Sequence, residues 1–92
     1  MRLESELEKK VGRWCKRNGL MYIKFTPYGE KGWPDRIVIG HTGKHLWLEL
    51  KREGKKPTKL QDHRMKEMRI RGVQAHWADN YEDALILIEE CV

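Results

Sequence analysis

Apolar residues recur along this chain at two spacings. Leu3, Leu7, Val11, Trp14 and Cys15 follow three- and four-residue steps and end at Asn18-Gly19, which predicts an amphipathic helix over residues 3–18. Residues 20–26 (LMYIKFT) are rich in β-branched and aromatic types and read as a strand. A loop with two glycines follows over residues 27–32. Residues 35–40 (DRIVIG) and 45–51 (HLWLELK) read as two strands joined by a tight turn. The polar segment REGKKP, with Gly54 and Pro57, breaks the pattern. Thr58 is a good N-cap for a helix over residues 59–71, ended by Gly72. Residues 73–78 (VQAHWA) form a fourth strand. Asp79 or Asn80 then caps a last helix through about Glu89, carrying Tyr81, Ala84, Leu85, Ile86 and Ile88. The order is αβββαβα, with no repeat, linker or low-complexity segment.

The turn between the second and third strands decides which residues meet. A two-residue loop at Thr42-Gly43 pairs Asp35 with Leu50 and leaves Asp35 and Glu49 on opposite faces. A three-residue loop, His41-Thr42-Gly43, pairs Gly40 with Lys44 and sets Asp35 opposite Glu49. That loop needs its last residue in the left-handed region, which glycine enters at little cost. The second register is the expected one. It puts Asp35, Ile37, Trp47, Glu49 and Lys51 on one face, and Val38, Leu46, Leu48 and Leu50 on the other. Pro34 suits the start of an edge strand.

Size and charge narrow the picture. Ninety-two residues make one domain, taken as residues 1–92, with a modest core that self-association would help. No stretch approaches a membrane span, and the start MRLESELEKK is no signal peptide, so a cytoplasmic protein is expected. The net charge is +5 and unevenly spread. Residues 1–18 hold six Lys/Arg against three Glu, residues 51–71 nine against three acids, and residues 79–90 five acids and no base. The first two segments favour a polyanionic partner; the last argues against one. Cys15 and Cys91 lack metal-ligand spacing and read as buried, reduced thiols. The four histidines have no zinc-like spacing either.

Chemistry concentrates on the hairpin. Asp35 and Glu49, side by side, can hold a divalent cation through oxygen ligands, and two facing carboxylates repel without one. Lys51 lies two residues from Glu49, on the same face. An exposed salt-bridged strand pair is the plain alternative for Glu49 and Lys51, but Glu49 is embedded between Leu48 and Leu50. Together they suggest metal-assisted phosphodiester hydrolysis, in which a cation lowers the pKa of water and acts as a Lewis acid. Thr58-x-x-Gln61 is a capping box. Lys55, Lys56 and Lys59 are placed to contact backbone phosphates. In the preceding loop Lys31 could meet DNA and Trp33 could stack on a base or pack on the sheet edge. Arg36, on the face opposite Asp35, reads as a structural or interface charge.

At Pro34-Asp35 and Glu49-Leu50-Lys51 the chain resembles the PD-(D/E)xK nuclease superfamily. With GWPDR at 32–36, LELK at 48–51, KKPTKLQ at 55–61 and GV at 72–73, it is similar to the virus-type replication-repair nuclease (VRR-NUC) domains over nearly its whole length. The resemblance implies an α/β, restriction-endonuclease-like core with a mixed central sheet flanked by helices. It implies Mg²⁺, or Mn²⁺ in its place, on Asp35, Glu49 and the Leu50 main-chain carbonyl, with Lys51 orienting water and Gln61 beside the metal. A glutamate of the first helix also belongs to such sites; Glu8 is the expected one and Glu4 its rival.

The expected activity is a metal-dependent, structure-selective DNA endonuclease without an organic cofactor. By resemblance, a minimal domain of this type would be a homodimer cutting branched DNA such as a Holliday junction, in repair or recombination and encoded by a phage or prophage. The alternatives are a monomeric flap or nicking endonuclease and a non-catalytic DNA-binding module.

Overall fold

A computed structural model describes residues 3–92. The elements are α1 (Glu4–Arg17), β1 (Met21–Lys24), β2 (Arg36–Ile39), β3 (His45–Leu50), α2 (Lys59–Ile70), β4 (Ala75–Ala78) and α3 (Tyr81–Cys91), in the order the sequence predicts. The strands form one mixed sheet, β1-β2-β3-β4. The first three are antiparallel, while β4 runs parallel to β3. A parallel neighbour needs a long crossover, which α2 and its flanking loops supply.

The hairpin takes the three-residue register. Arg36 pairs with Leu48 and Ile39 with His45. The Gly40 amide donates to the Lys44 carbonyl at 2.9 Å, and Gly43 sits at φ +85°, the left-handed position the loop requires. Alternation then sorts the side chains. Val38, Leu46, Leu48 and Leu50 turn to one face, where they are buried against Leu7, Val11 and Cys15 of α1 and Ala84, Ile88 and Cys91 of α3. Both cysteines are free and buried, as expected. The other face carries Ile37, Trp47 and Glu49 and is covered by α2, whose one buried residue is Met65.

Three boundaries differ by two residues from the sequence expectation, each for a local reason. β1 is shorter than residues 20–26, although the Phe25 amide still bonds the Asp35 carbonyl at 2.8 Å. β4 begins at Ala75 because the Val73 amide closes the end of α2 on the Met68 carbonyl, and the Gln74 side chain bonds the carbonyls of His45 and Cys91. α3 runs on to Cys91 because that residue, one turn beyond Ile88, is still on the buried stripe. The loop before Asp35 is held close to α2: Gly32, at φ +87°, would place a Cβ 2.6 Å from Leu60 Cγ.

Candidate active site

The site is built at the open end of the β2–β3 hairpin. The register that pairs Arg36 with Leu48 carries on to set Asp35 across from Glu49, where opposed side chains lie about 5 Å apart at Cβ. The electrostatics agree. Burial, and after it the Asp35 charge, push the Glu49 carboxyl up to about 7, although Lys51 offsets part of the rise. Lys51 Nζ is 3.3 Å from Glu49 Oε2. Its backbone is fixed just past the strand, where the Lys51 amide donates to the Ala78 carbonyl at 2.9 Å.

Gln61 reaches the same oxygen from α2. The capping box expected from Thr58-x-x-Gln61 is complete. The Gln61 amide donates to Thr58 Oγ1 at 3.1 Å, and Gln61 Oε1 accepts from the Thr58 amide at 2.9 Å. With its oxygen committed to the cap, the side-chain amide nitrogen turns to the sheet and donates to Glu49 Oε2 at 3.4 Å. The cap therefore orients the glutamine, so its helix-starting role and its place in the site are one arrangement.

Asp35 differs from Glu49 in what it lacks. Its Oδ1 is buried and has no hydrogen-bond partner, the single such side-chain atom among the described residues. A buried, unpartnered carboxylate oxygen is costly. Facing a second carboxylate, it fits a cation. Among the described residues no three His, Cys, Asp or Glu side chains converge as a metal-binding group. The side-chain donors at this end of the hairpin are thus two carboxylates, a number that suits Mg²⁺, which keeps several waters and takes one or two carboxylates plus substrate phosphates.

Glu8 lies behind this pair, held by Arg36. Glu8 Oε2 is 3.1 Å from Arg36 Nη2, and burial raises the Glu8 carboxyl although Arg36 pulls it down. Arg36 is itself buried and is shared widely. Its Nε donates to Tyr22 Oη at 3.2 Å, its Nη1 to the Asp35 carbonyl at 3.3 Å, and Nη1 is 3.8 Å from Asp35 Oδ2. Tyr22 Oη in turn donates to the Glu8 carbonyl at 2.9 Å. Burial pushes the Tyr22 phenol up to about 12, which keeps it a neutral donor. Arg36 is therefore the structural charge that backs Asp35, and Tyr22 its support. Tyr22 carried no sequence signal beyond its place in a strand. Glu4, the rival of Glu8, lines a groove with Lys51 instead, and its charge adds the last small part of the rise at Glu49.

That groove, about 600 Å³, is lined also by Arg52, Lys55, Lys56 and Thr58. Lys55, Lys56 and Lys59 are exposed. Lys31 is exposed as well, and its carbonyl accepts from Arg64 Nε at 3.3 Å. Trp33 is half-buried beneath the Arg64 guanidinium, 4.4 Å from its ring centre, so one ring face is already stacked within the protein.

No protein-family model matches the chain. A relative from Acyrthosiphon pisum secondary endosymbiont phage 1, named "Putative nuclease p44", is 36% identical over 58 residues, which are 63% of this chain and 62% of that protein. The chain thus matches somewhat less than two thirds of that relative's length. A solved structure described as a VRR_NUC domain superposes with a TM-score of 0.84 at 26% identity, covering 94% of each chain. A second, described as a VRR_NUC domain protein, gives 0.77 at 22% identity, covering 98% of this chain and 88% of the other. The chain therefore shares the VRR_NUC domain fold over nearly its full length, and part of its sequence is similar to a phage protein named as a putative nuclease.

Proposed function

We propose that this domain is a divalent-metal-dependent DNA nuclease that hydrolyses phosphodiester bonds at Asp35 and Glu49. The observation that carries the reading is the unpartnered, buried Oδ1 of Asp35, on a residue that the strand register sets across from the buried Glu49 carboxylate. The chemistry also matches the nuclease name of the phage relative. Asp35 and Glu49, with the Leu50 main-chain oxygen, would hold Mg²⁺ or Mn²⁺. When bound, such an ion supplies Lewis-acid polarisation of the phosphate and a lowered water pKa. Lys51, already beside Glu49, orients the attacking water and offsets charge developing on the phosphate. Gln61 donates to Glu49 and keeps its carboxylate turned toward Asp35. Lys55, Lys56 and Lys59 engage backbone phosphates without reading bases.

The finer reading is a homodimeric, structure-selective endonuclease acting on Holliday junctions. It is supported by the edge strand β1 and the residue after it, where Met21, Ile23 and Phe25, alternate residues on one face, remain 56, 37 and 36% exposed. Two copies joined there would carry two sites for a two-fold symmetric substrate.

Asp35→Asn tests the assignment. Cleavage with Mg²⁺ is expected to fall at least about a hundredfold, beyond the usual effect of losing a partner that merely orients a ligand. Undiminished cleavage removes Asp35 from the site. Solution mass, with four-way junctions compared against flaps, tests the finer reading. A monomer that prefers flaps replaces it with a flap endonuclease. Failure of the unsubstituted protein to cut any branched DNA with Mg²⁺ or Mn²⁺ leaves a DNA-binding module.

A further inference from the structure

A second basic surface lies on the other side of the sheet. Lys9, Arg13 and Lys16 follow steps of four and three residues along α1, so they share one stripe, and all three are exposed. With Gly12, Leu20 and Tyr22 they line a shallow groove of about 420 Å³ between α1 and β1. The helix and strand meet closely there; a Cβ at Gly12 would lie 2.9 Å from the Tyr22 ring. Lys24 stands exposed on the same edge strand.

These cations are not tied up in ion pairs. Among the described residues none of Lys9, Arg13, Lys16 and Lys24 forms an ion pair. Glu6, the exposed acid one turn before Lys9 and Lys10, pairs with neither, and Glu8 is taken by Arg36. By contrast, Lys66 on α2 and Arg71 at its C-terminal cap are paired with acids four residues away. From Lys9 to Lys16 the stripe runs about 10 Å at 1.5 Å per residue, roughly three base steps of one DNA strand at 3.4 Å.

Position gives the groove its meaning. Tyr22 pairs with Val38 and so faces α1, whereas Asp35 and Glu49 face the α2 side. Yet the groove floor is linked to the site by one residue, because Arg36 touches both Tyr22 Oη and Asp35 Oδ2. One straight duplex laid across Asp35 and Glu49 on the α2 side is directed away from the groove; a branched or sharply bent one has a second arm to lay there.

We propose that the α1–β1 groove is a second DNA-backbone track, which holds one arm of branched DNA while another arm lies across the carboxylates. The proposal rests on the structure-selective nuclease reading above and adds the surface that would give a preference for branched over linear substrates.

The test is binding by fluorescence anisotropy in EDTA, which separates it from cleavage. The triple variant Lys9→Gln/Arg13→Gln/Lys16→Gln is compared with the unsubstituted protein on a four-way junction and on a linear duplex, from about 50 to 200 mM salt. For the junction, the slope of log K against log salt is expected to flatten by about 2–3, at roughly 0.9 for each phosphate that is no longer neutralised. The duplex slope stays as it was. A charge-matched control, Lys44→Gln/Lys66→Gln/Arg71→Gln, leaves the junction slope unchanged. Equal losses on both DNAs, an unchanged junction slope, or no DNA binding by the unsubstituted protein each overturns the proposal. The nuclease reading fails separately, through absence of Mg²⁺-dependent cleavage by the unsubstituted protein. Circular dichroism of the triple variant, whose three sites are exposed, verifies that its helices are intact.

Discussion

The two faces of the sheet do opposite things with the same strand. On the α1/α3 side, β3 contributes Leu46, Leu48 and Leu50, all sealed from water beside Val38. On the α2 side it contributes Trp47, half-exposed, and Glu49, a carboxylate buried to 6% exposure beside a second carboxylate. A period of two lets six residues serve both purposes, because alternate side chains never share an environment. The apolar face stabilises the fold by burying surface. The polar face gives part of that stability up, since burying charge without full compensation is unfavourable. The candidate site residue Glu49 thus sits one position from side chains that are sealed in the apolar core.

Neighbouring substitutions on β3 should therefore act in opposite ways. Leu48→Ala empties a fully buried position and is expected to cost about 2–5 kcal/mol of unfolding free energy. Glu49→Gln keeps the shape and removes the desolvated charge. In EDTA it should be neutral or stabilising, while metal-dependent cleavage is lost. Denaturant titration of both variants, alongside an activity assay, decides the matter. A Glu49→Gln variant as unstable as Leu48→Ala would mean that the carboxylate supports the fold.

The next effect is smaller and depends on pH. The folded Glu49 carboxyl lies at about 7, against an ordinary value of 4.5. Between those values the folded chain holds a proton that the unfolded chain has released. The corresponding stability is full below about 4.5 and is lost as pH rises through 7. Metal-free protein should therefore melt at a lower temperature at pH 8 than at pH 5. The difference should equal roughly 1–3 kcal/mol, because a tenfold change in proton affinity is worth about 1.36 kcal/mol. Asp35→Asn removes the like charge and should shrink the difference. A thermal profile in EDTA that is equally steep in both proteins would show that Asp35 does not act on Glu49.

How much of this was legible depends on how far the causes lie apart in sequence. The hairpin register followed from three adjacent residues, because Gly43 alone could take the left-handed position, and the facing of Asp35 and Glu49 came with it. The capping box was equally local. Arg36 was not legible to the same degree. Its face could be read from alternation, but its burial depends on Tyr22 and Glu8, which arrive from 14 and 28 positions away through a strand pairing with no sequence signature. Which of Glu8 and Glu4 an arginine of the sheet would hold was hidden for the same reason. One turn apart, they lie on one helix stripe, and the guanidinium that captures Glu8 belongs to another element. Arg64 stacking on Trp33 is a third pairing of this kind.

The smallest expected effect separates the two faces most cleanly, because each has a capped helix. Thr58 caps α2 over the site, and Asn80 caps α3 over the sealed core, its side chain accepting from the Asp83 amide at 2.9 Å. Thr58→Ala and Asn80→Ala should each cost about 1 kcal/mol of stability, since each leaves one helix-start amide without its partner. Their effects on catalysis should part. The Asn80 side chain bonds only Asp79 and Asp83, so Asn80→Ala should leave cleavage unchanged at temperatures where the protein is folded. Thr58→Ala frees the Gln61 backbone from half of its box, so the amide that donates to Glu49 is less well aimed. A loss of up to about tenfold is expected, the low end for a partner that orients a metal ligand. Equal stability losses with unequal rate losses would tie the cap to the site. Equal rate losses would mean that the capping box holds α2 and does nothing more for Gln61.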